Sequence, residues 1–234
     1  MFAIYKRELH SYFTNVIGYL FMAFILFFVG VYFTSVNLSQ GYATVSYAIY
    51  NIGFVFMIAV PMLTMRSLAE DRKNKTDQLL LTSPTTVTQM VLGKYFAMVT
   101  MLAIVCVVCC FLPLIVSMYG NATFVVDYAM ILAFFLSGCA QLAIGLWISS
   151  LTESPAIACV GTFAILLILY LISSLADMIP ITFIANFLSG LSLQDRLLNF
   201  AYELFDVTAL VYFLSIAVFF VFLSIQTVNK RRWN

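Results

Sequence analysis

Few residue types in this chain could carry out a reaction. The single histidine, His10, lies in an amphipathic stretch, where an interfacial polar residue is a simpler interpretation than a ligand or a catalyst. Cys106-x-x-Cys109-Cys110 has a spacing seen in metal sites, but no histidine or acid lies at that depth. These cysteines are interpreted as small buried hydrophobes. The sequence therefore predicts no metal, no redox site and no cofactor on this chain.

Motifs for nucleotide and ester chemistry are also missing. A phosphate-binding loop requires G-x-x-x-x-G-K-[ST], and Gly93-Lys94 lacks both the preceding glycine and the following serine or threonine. The G-x-S-x-G elbow of serine hydrolases is absent as well. We therefore predict that the chain is not an enzyme and does not hydrolyse nucleotide itself.

The composition is that of a membrane protein. Of the 234 residues, 64% are hydrophobic and 9% are charged, and the mean hydropathy is +1.06, whereas a soluble domain is about half apolar and about a quarter charged. Six apolar runs are long enough to cross a bilayer as helices, which takes about 20 residues. They cover Val16–Val36, Val45–Met65, Met90–Met118, Phe124–Ser150, Pro155–Ala176 and Val207–Val228. None alternates like a β-barrel strand, so the predicted fold class is all-α, a polytopic membrane protein.

The basic residues are distributed asymmetrically. Ten of the eleven lysines and arginines fall on one side of the six spans, and this side is predicted to be cytoplasmic, with both termini there. Lys94 and Asp127 lie near the ends of their apolar runs and are assigned to the adjacent loops. The six spans contain no other charged residue. Proton or sodium coupling generally uses ionisable residues inside the bilayer, so it is not predicted. A net charge of +1 does not favour nucleic acid as a partner.

The inner loop Arg66–Lys94 holds five of those basic residues. Thr76 and Asp77 predict the start of a short helix, and Ser83-Pro84 predicts a break followed by a second start. The leucines at 79, 80 and 81 between them would be exposed to water, and an exposed apolar patch usually marks an interface. The alternative is that they fold back onto the inner membrane surface.

Other segments outside the spans are predicted to be ordered. Apolar residues recur at helical spacing over residues 2–14, which predicts an interfacial amphipathic helix that either only anchors the first span or also contacts a partner. Within the outer segment Asp177–Asp206, Ile181–Leu193 is too short to cross and is predicted to be re-entrant or, alternatively, a surface connector. Thr86 with Gln89 predicts a capping box before the third span.

Three groups of residues stand in a distinctive order around the six spans. They are Arg66...Glu70-Asp71-Arg72...Lys75-Thr76...Leu79-Leu80...Ser83-Pro84...Val91-Leu92-Gly93-Lys94, the turn Ser150-Leu-Thr-Glu153, and the ending Asp206...Leu210-Val-Tyr212...Arg231-Arg232-Trp233. In this order they resemble the membrane subunits, or permeases, of ABC-2-type ABC transporters. Within that group the chain is most similar to the bacterial gliding-motility and copper-site-maturation type permeases, over nearly its whole length.

The resemblance implies an architecture. Residues 1–234 would form one transmembrane domain, with an elbow helix at 2–14, a cytoplasmic coupling helix within 66–94 and a re-entrant outer hairpin within 177–206. Two membrane subunits, either two copies or two related chains, would pair in the lipid bilayer. Each would dock an ATP-binding cassette subunit, which binds ATP and Mg, and an extracytoplasmic accessory protein is a further candidate partner.

The resemblance also implies roles for individual residues. By position, the contacts to the ATPase subunit would be Glu70, Arg72, Lys75, Thr76, Asp77, Leu79, Leu80, Ser83, Pro84, Thr152 and Glu153. The second and fifth spans would line the interface between membrane subunits, where a substrate path is offered by Tyr47, Tyr50, Asn51, Met57, Tyr170 and Ser173. Those six residues suit an amphipathic cargo, although the same composition is ordinary in helix packing. Lys75 stands where many members of the family carry glycine.

The predicted function is therefore that of a permease subunit. The chain would couple ATP hydrolysis by a separate cassette subunit to movement of a substrate, as an exporter in the bacterial cytoplasmic (inner) membrane. The alternative is an ATP-independent membrane facilitator, channel or scramblase.

Overall fold

The regular structure is helical throughout the residues that the computed structural model describes, which are 1–42, 44–75, 86–118, 123–176, 190, 192–202 and 206–232. The helices are α1 (Phe2–Thr14), α2 (Val16–Phe33, continued by a π-helical turn, Thr34–Leu38), α3 (Ser46–Thr64), α4 (Ala69–Lys73), α5 (Val87–Cys109), α6 (Leu112–Ser117), α7 (Phe124–Leu151), α8 (Pro155–Ala176), α9 (Leu193–Ala201) and α10 (Val207–Arg232).

The prediction of six spans is confirmed by helix length and composition. Six helical stretches are long and apolar enough to cross a membrane, formed by α2, α3 with α4, α5 with α6, α7, α8 and α10. The fourth runs over Phe124–Leu151, one residue longer than predicted. The second extends beyond its predicted end through the charged α4, because the backbone turns at 65–68 and then resumes a helix.

One predicted helix start is also observed. The Thr86 hydroxyl accepts a hydrogen bond from the Gln89 amide at 3.3 Å, which caps α5. Part of the outer segment is helical, since α9 is capped by the Ser192 hydroxyl and buries Leu197 and Phe200 against its neighbours. The predicted re-entrant stretch before it lies largely outside the described residues, so that hairpin stays a prediction.

The prediction that the charged residues lie outside the spans is wrong for two of them. Lys94 lies seven residues beyond the first residue of α5 and is 1% exposed. Asp127 lies in the first turn of α7 and is fully buried. Both side chains find polar partners on neighbouring helices, and such partners replace the water that an isolated charge would require.

The bundle is organised around α7. This helix packs against α3, α5, α8, α9 and α10. The apolar window of α7 is 78% buried, whereas those of α2 and α8 are 28% and 22% buried. The outer helices therefore expose apolar faces to whatever surrounds the bundle, while α7 is enclosed by protein.

Glycines let α7 approach α3 closely. A Cβ atom at Gly145 would lie 2.6 Å from the Thr64 Oγ1 and 2.9 Å from the Thr64 Cβ. Threonine is β-branched, and its hydroxyl already donates to the Val60 carbonyl at 3.1 Å, so its side chain has little freedom to withdraw. Small residues at such crossings allow the backbone contact that holds membrane helices together.

We predict opposite effects for the same substitution at two glycines. Gly145→Ala should lower the free energy of unfolding by about 1–3 kcal/mol, because the added methyl overpacks the contact with Thr64. Gly30→Ala, in α2, meets no atom within 4 Å and should be neutral or slightly stabilising, because alanine favours a helix. Denaturant unfolding of the purified chain in mild detergent measures both, and equal stabilities for the two variants would contradict the close packing.

A candidate docking site at one end of the bundle

The structural centre of the candidate site is the ammonium group of Lys94. Its Nζ atom lies 2.7 Å from the Asp71 Oδ2 and 3.2 Å from the Glu8 Oε1, and it donates to the Ser67 carbonyl at 2.7 Å. These partners come from α4, α1 and the turn that follows α3. One lysine on α5 therefore joins three separate elements. We call this end of the bundle, which carries α4 and the start of α5, the basic end.

The geometry explains why a lysine is tolerated in this buried position. An ammonium group has three N–H donors, and the three acceptors around Lys94 match them. Glu8 is also paired with the Arg7 guanidinium at 2.6 Å, so two cations and two carboxylates balance. The Ser67 carbonyl lies beyond the C-terminal end of α3, where the helix dipole favours a positive charge.

The short helix α4 is held by the last turn of α7. The Ser149 hydroxyl, fully buried, accepts hydrogen bonds from the backbone amides of Leu68 at 3.2 Å and Ala69 at 3.0 Å. It acts as an N-cap supplied from another helix, which satisfies donors that no residue of α4 reaches. The Arg72 guanidinium then contacts the Glu153 carboxylate at 2.7 Å and links α4 to the turn before α8.

A polar cleft of about 330 Å³ opens beside this cluster, between α1 and the region from Arg66 to Asn74. Arg66 and Glu70 form an ion pair on its wall at 3.1 Å. Burial, with the carboxylates of Glu8 and Asp71 nearby, raises the pKa of Tyr12 above its ordinary range, so this phenol stays neutral. The cleft therefore presents mixed charge, and it suits a polar protein surface better than a simple anion.

The structure brings together the predicted docking residues that it describes. Glu70, Arg72, Lys75, Thr152 and Glu153 lie at the basic end, on α4, on the residues that follow it and on the turn between α7 and α8. The other six predicted contacts lie outside the described residues: Thr76, Asp77, Leu79, Leu80, Ser83 and Pro84.

Lys75 has a backbone conformation that favours glycine. Its φ angle is 57°, in the left-handed region that glycine adopts without steric cost. A lysine in that conformation stores roughly 1 kcal/mol of strain or more. The backbone at Lys75 thus has the turn conformation that a glycine would favour.

Sequence reasoning missed Glu8, Asp71, Lys94 and Ser149 as a connected group. Their contacts join residues that are 23 to 86 positions apart, and no local pattern encodes such a pairing. One signal was available. A lysine that follows four uncharged residues of a predicted span, as Lys94 follows Met90–Gly93, needs a partner if it is not to reach water.

Of the six predicted substrate-path residues, the structure places Met57 and Tyr170 at one cavity, and the substrate path as a whole stays a prediction. Met57 is buried, and it lines a small cavity together with Tyr170, whose ring packs edge-on against Phe54 with centroids 5.5 Å apart. Tyr47 instead contacts Tyr202 near the other end of the bundle. Tyr50 and Asn51 are partly or fully exposed on α3, and the Asn51 amide donates to the Tyr47 carbonyl. The side chain of Ser173 lies outside the described part of α8.

A second charged contact lies at the opposite end of the bundle. The Asp127 carboxylate accepts hydrogen bonds from the Val45 amide at 2.8 Å and the Ser46 hydroxyl at 3.2 Å. Val45 and Ser46 begin α3, so a residue of α7 caps that helix and places a negative charge at its positive end. Asp127 and Ser149 both lie on α7. Their side chains therefore attach the start of α3 and the start of α4 to the same helix.

Six apolar spans in the described part of the chain, one of them the enclosed helix α7, define a multi-pass membrane protein. Comparison with known families refines this class. Residues 34–227 match the family described as ABC-2 family transporter protein, and the chain belongs to that family. It is thus a transmembrane permease domain of the ABC transporter type, a family whose members typically pair with an ATP-binding subunit. No curated protein matches the chain.

We predict that Lys94→Met lowers the free energy of unfolding by about 3–5 kcal/mol, because Glu8 and Asp71 would lose their buried counter-charge. Removing those charges as well, in Lys94→Met with Asp71→Asn and Glu8→Gln, should recover part of the loss. Glu153→Gln is the control: its carboxylate is 70% exposed and paired with Arg72, and exposed pairs contribute about 0–1 kcal/mol. Unfolding curves in mild detergent give all three values, and wild-type stability of Lys94→Met would refute the cluster.

Adjacent serines give a second, matched comparison. Ser149→Ala should cost about 1–2 kcal/mol, because two backbone amides of α4 lose their acceptor. Ser150→Ala should cost less, since the equally buried Ser150 hydroxyl only donates to the Trp147 carbonyl within α7. Hydrogen–deuterium exchange should show faster exchange at amides 68 and 69 in Ser149→Ala alone. Unchanged protection there would contradict the capping role.

Proposed function

We propose that this chain is the membrane subunit of an ATP-driven exporter and that a separate ATP-binding subunit docks at the basic end. Support comes from the family, from the absence of a phosphate-binding loop in the sequence, and from the charged surface around α4. ATP and Mg would be bound by that partner. The chain itself would contribute the docking surface and the path through the membrane.

One observation carries the proposal of coupling: Lys94 ties the elements on both sides of loop 76–85 to one point. The loop follows α4, whose Asp71 binds Lys94, and it precedes α5, which carries Lys94. A force applied to the loop by a docked partner would therefore act on the two spans together. The contact with Glu8 would carry the same displacement to α1.

The docking surface itself would combine charge and apolar contact. Arg72, Glu70 and Glu153 are part of its polar component, with Thr152 beside them. The predicted apolar component is the leucine patch of the loop, in which Leu79 and Leu80 were assigned by resemblance. Both components are needed for a specific interface, since a polar rim around an apolar centre is the usual arrangement.

The finer features of the proposal follow from the family resemblance. Two membrane subunits would pair through α3 and α8, which pack on one another, and α8 exposes apolar side chains such as Val160 and Ile168. The basic end would face the cytoplasm of a bacterial cell, as the excess of lysine and arginine there favours. The similarity to gliding-motility and copper-site-maturation permeases is also a prediction that rests on the family resemblance.

We predict that Leu79→Asp with Leu80→Asp abolishes co-purification of the ATP-binding subunit, because two charges replace the apolar centre of the interface. The measurement is pull-down of the tagged chain in mild detergent after co-expression with its cassette partner. Val207→Asp, at an exposed apolar position at the start of α10, is the control and should leave binding intact. Stoichiometric binding by the double variant would exclude docking through this loop.

The same preparation tests ATP coupling. Proteoliposomes that hold the complex should move substrate only with ATP, whereas the chain alone should show neither ATPase activity nor flux. Flux through the chain alone would favour the facilitator, channel or scramblase instead.

A further inference from the structure

A small cavity with two amide side chains on its wall lies between α3, α7, α8 and α9, away from the basic end. It has a volume of about 20 Å³ and is lined by Gln141 of α7, Gln194 of α9, Gly53 and Met57 of α3, and Tyr170 of α8, with two leucines. Gln141 lies 14 residues after Asp127 and 8 residues before Ser149. At about 1.5 Å per residue, it is therefore roughly 21 Å and 12 Å from those two ends, in the interior of its span.

Gln141 lacks a good hydrogen-bond acceptor or donor among the described residues. Its side chain is 91% buried, its Oε1 atom has no partner in the described part of the chain, and its Nε2 atom reaches only the Ser137 hydroxyl at 3.4 Å. An unsatisfied buried amide oxygen costs about 1–3 kcal/mol. The cavity that Gln141 lines therefore contains an acceptor in need of a donor.

The space at this point depends on a glycine. A Cβ atom at Gly53 would lie 3.0 Å from the Oε1 atom of Gln194, so the missing side chain makes room for that amide. A second neutral amide thus reaches the same cavity from α9. Among the described residues, no charged side chain lines the cavity, which points to an uncharged ligand.

We infer that Gln141 and Gln194 form a binding site for one water molecule inside the membrane domain. The volume exceeds the roughly 10–15 Å³ that a water needs, and a buried water typically makes about three hydrogen bonds to polar groups. Donation to the Gln141 Oε1 satisfies that atom. The Gln194 amide, which lines the same cavity, supplies a second partner. The water thereby links α9 to α7 across the interior of the bundle.

X-ray radiolysis of the full-length chain in nanodiscs, in ¹⁸O-labelled water, tests the site. Hydroxyl radicals form from bound water and oxidise the nearest reactive side chain, and Met57, only 2% exposed, lines the cavity. We expect ¹⁸O-labelled oxidation of Met57. Met98 and Met101 are equally buried but lie away from the cavity, and they should stay unlabelled, whereas the exposed Met118 should be labelled fully.

Leucine variants connect the labelling to the two amides. Gln141→Leu and Gln194→Leu keep the side-chain size and remove hydrogen bonds to the water, so each should lower Met57 labelling by about tenfold. Gln194 is only partly buried, so its variant remains informative if Gln141→Leu does not fold. Labelling of Met57 at the level of Met98 in the wild type, or labelling unchanged in both folded variants, would overturn the proposal. Neither outcome would affect the proposal that an ATP-binding subunit docks at the basic end.

Discussion

The arrangement of the basic end depends on the cost of burying one ammonium group. Lys94 is placed by its helix among apolar neighbours, and a bare cation there would cost several kcal/mol. The cost is offset only when Glu8, Asp71 and the Ser67 carbonyl converge on it. Because these acceptors belong to different elements, the relative positions of α1, α4 and α5 are coupled through a single atom.

The remainder of the bundle follows a similar rule, with polar contacts at the helix ends and close packing between them. The side chains of Asp127 and Ser149, both on α7, cap the starts of α3 and α4. Between these caps, Gly138 and Gly145 let α7 lie against Phe56 and Thr64. Apolar burial adds little between helices in lipid, so hydrogen bonds and backbone proximity must supply the specificity.

The sequence predicts the spans well because their signal is local. A run of about 20 apolar residues has few alternatives to a membrane helix, and caps such as Thr86 depend on residues three positions apart. The charged contacts were not predictable in this way. Lys94 and Asp127 lie close enough to the span ends to be read as loop residues, and only the three-dimensional packing shows that each one faces a helix end.

The candidate site likewise contains residues that the sequence predicted and residues that only the three-dimensional packing identifies. Resemblance selected Glu70, Arg72 and Glu153, which the structure places together at the basic end. Lys94 belongs to the same motif but was assigned no role, because a local motif cannot represent an acceptor 86 residues away. The residues predicted to line the substrate path stay a prediction, and those that share a helix, such as Asn51 and Met57, need not share a face.

The carboxylates that pair with Lys94 are partly exposed. Lys94 is 1% exposed, but the side chains of Glu8 and Asp71 are 13% and 21% exposed and border the polar cleft. Water in the cleft reduces the desolvation cost of the two carboxylates relative to a fully buried pair, and it can solvate them when the contact opens. To transmit a partner's movement, the contact would need a closed and an open state that differ by only a modest free energy. A partner that binds one state better than the other can then shift the equilibrium, which is the physical requirement for coupling.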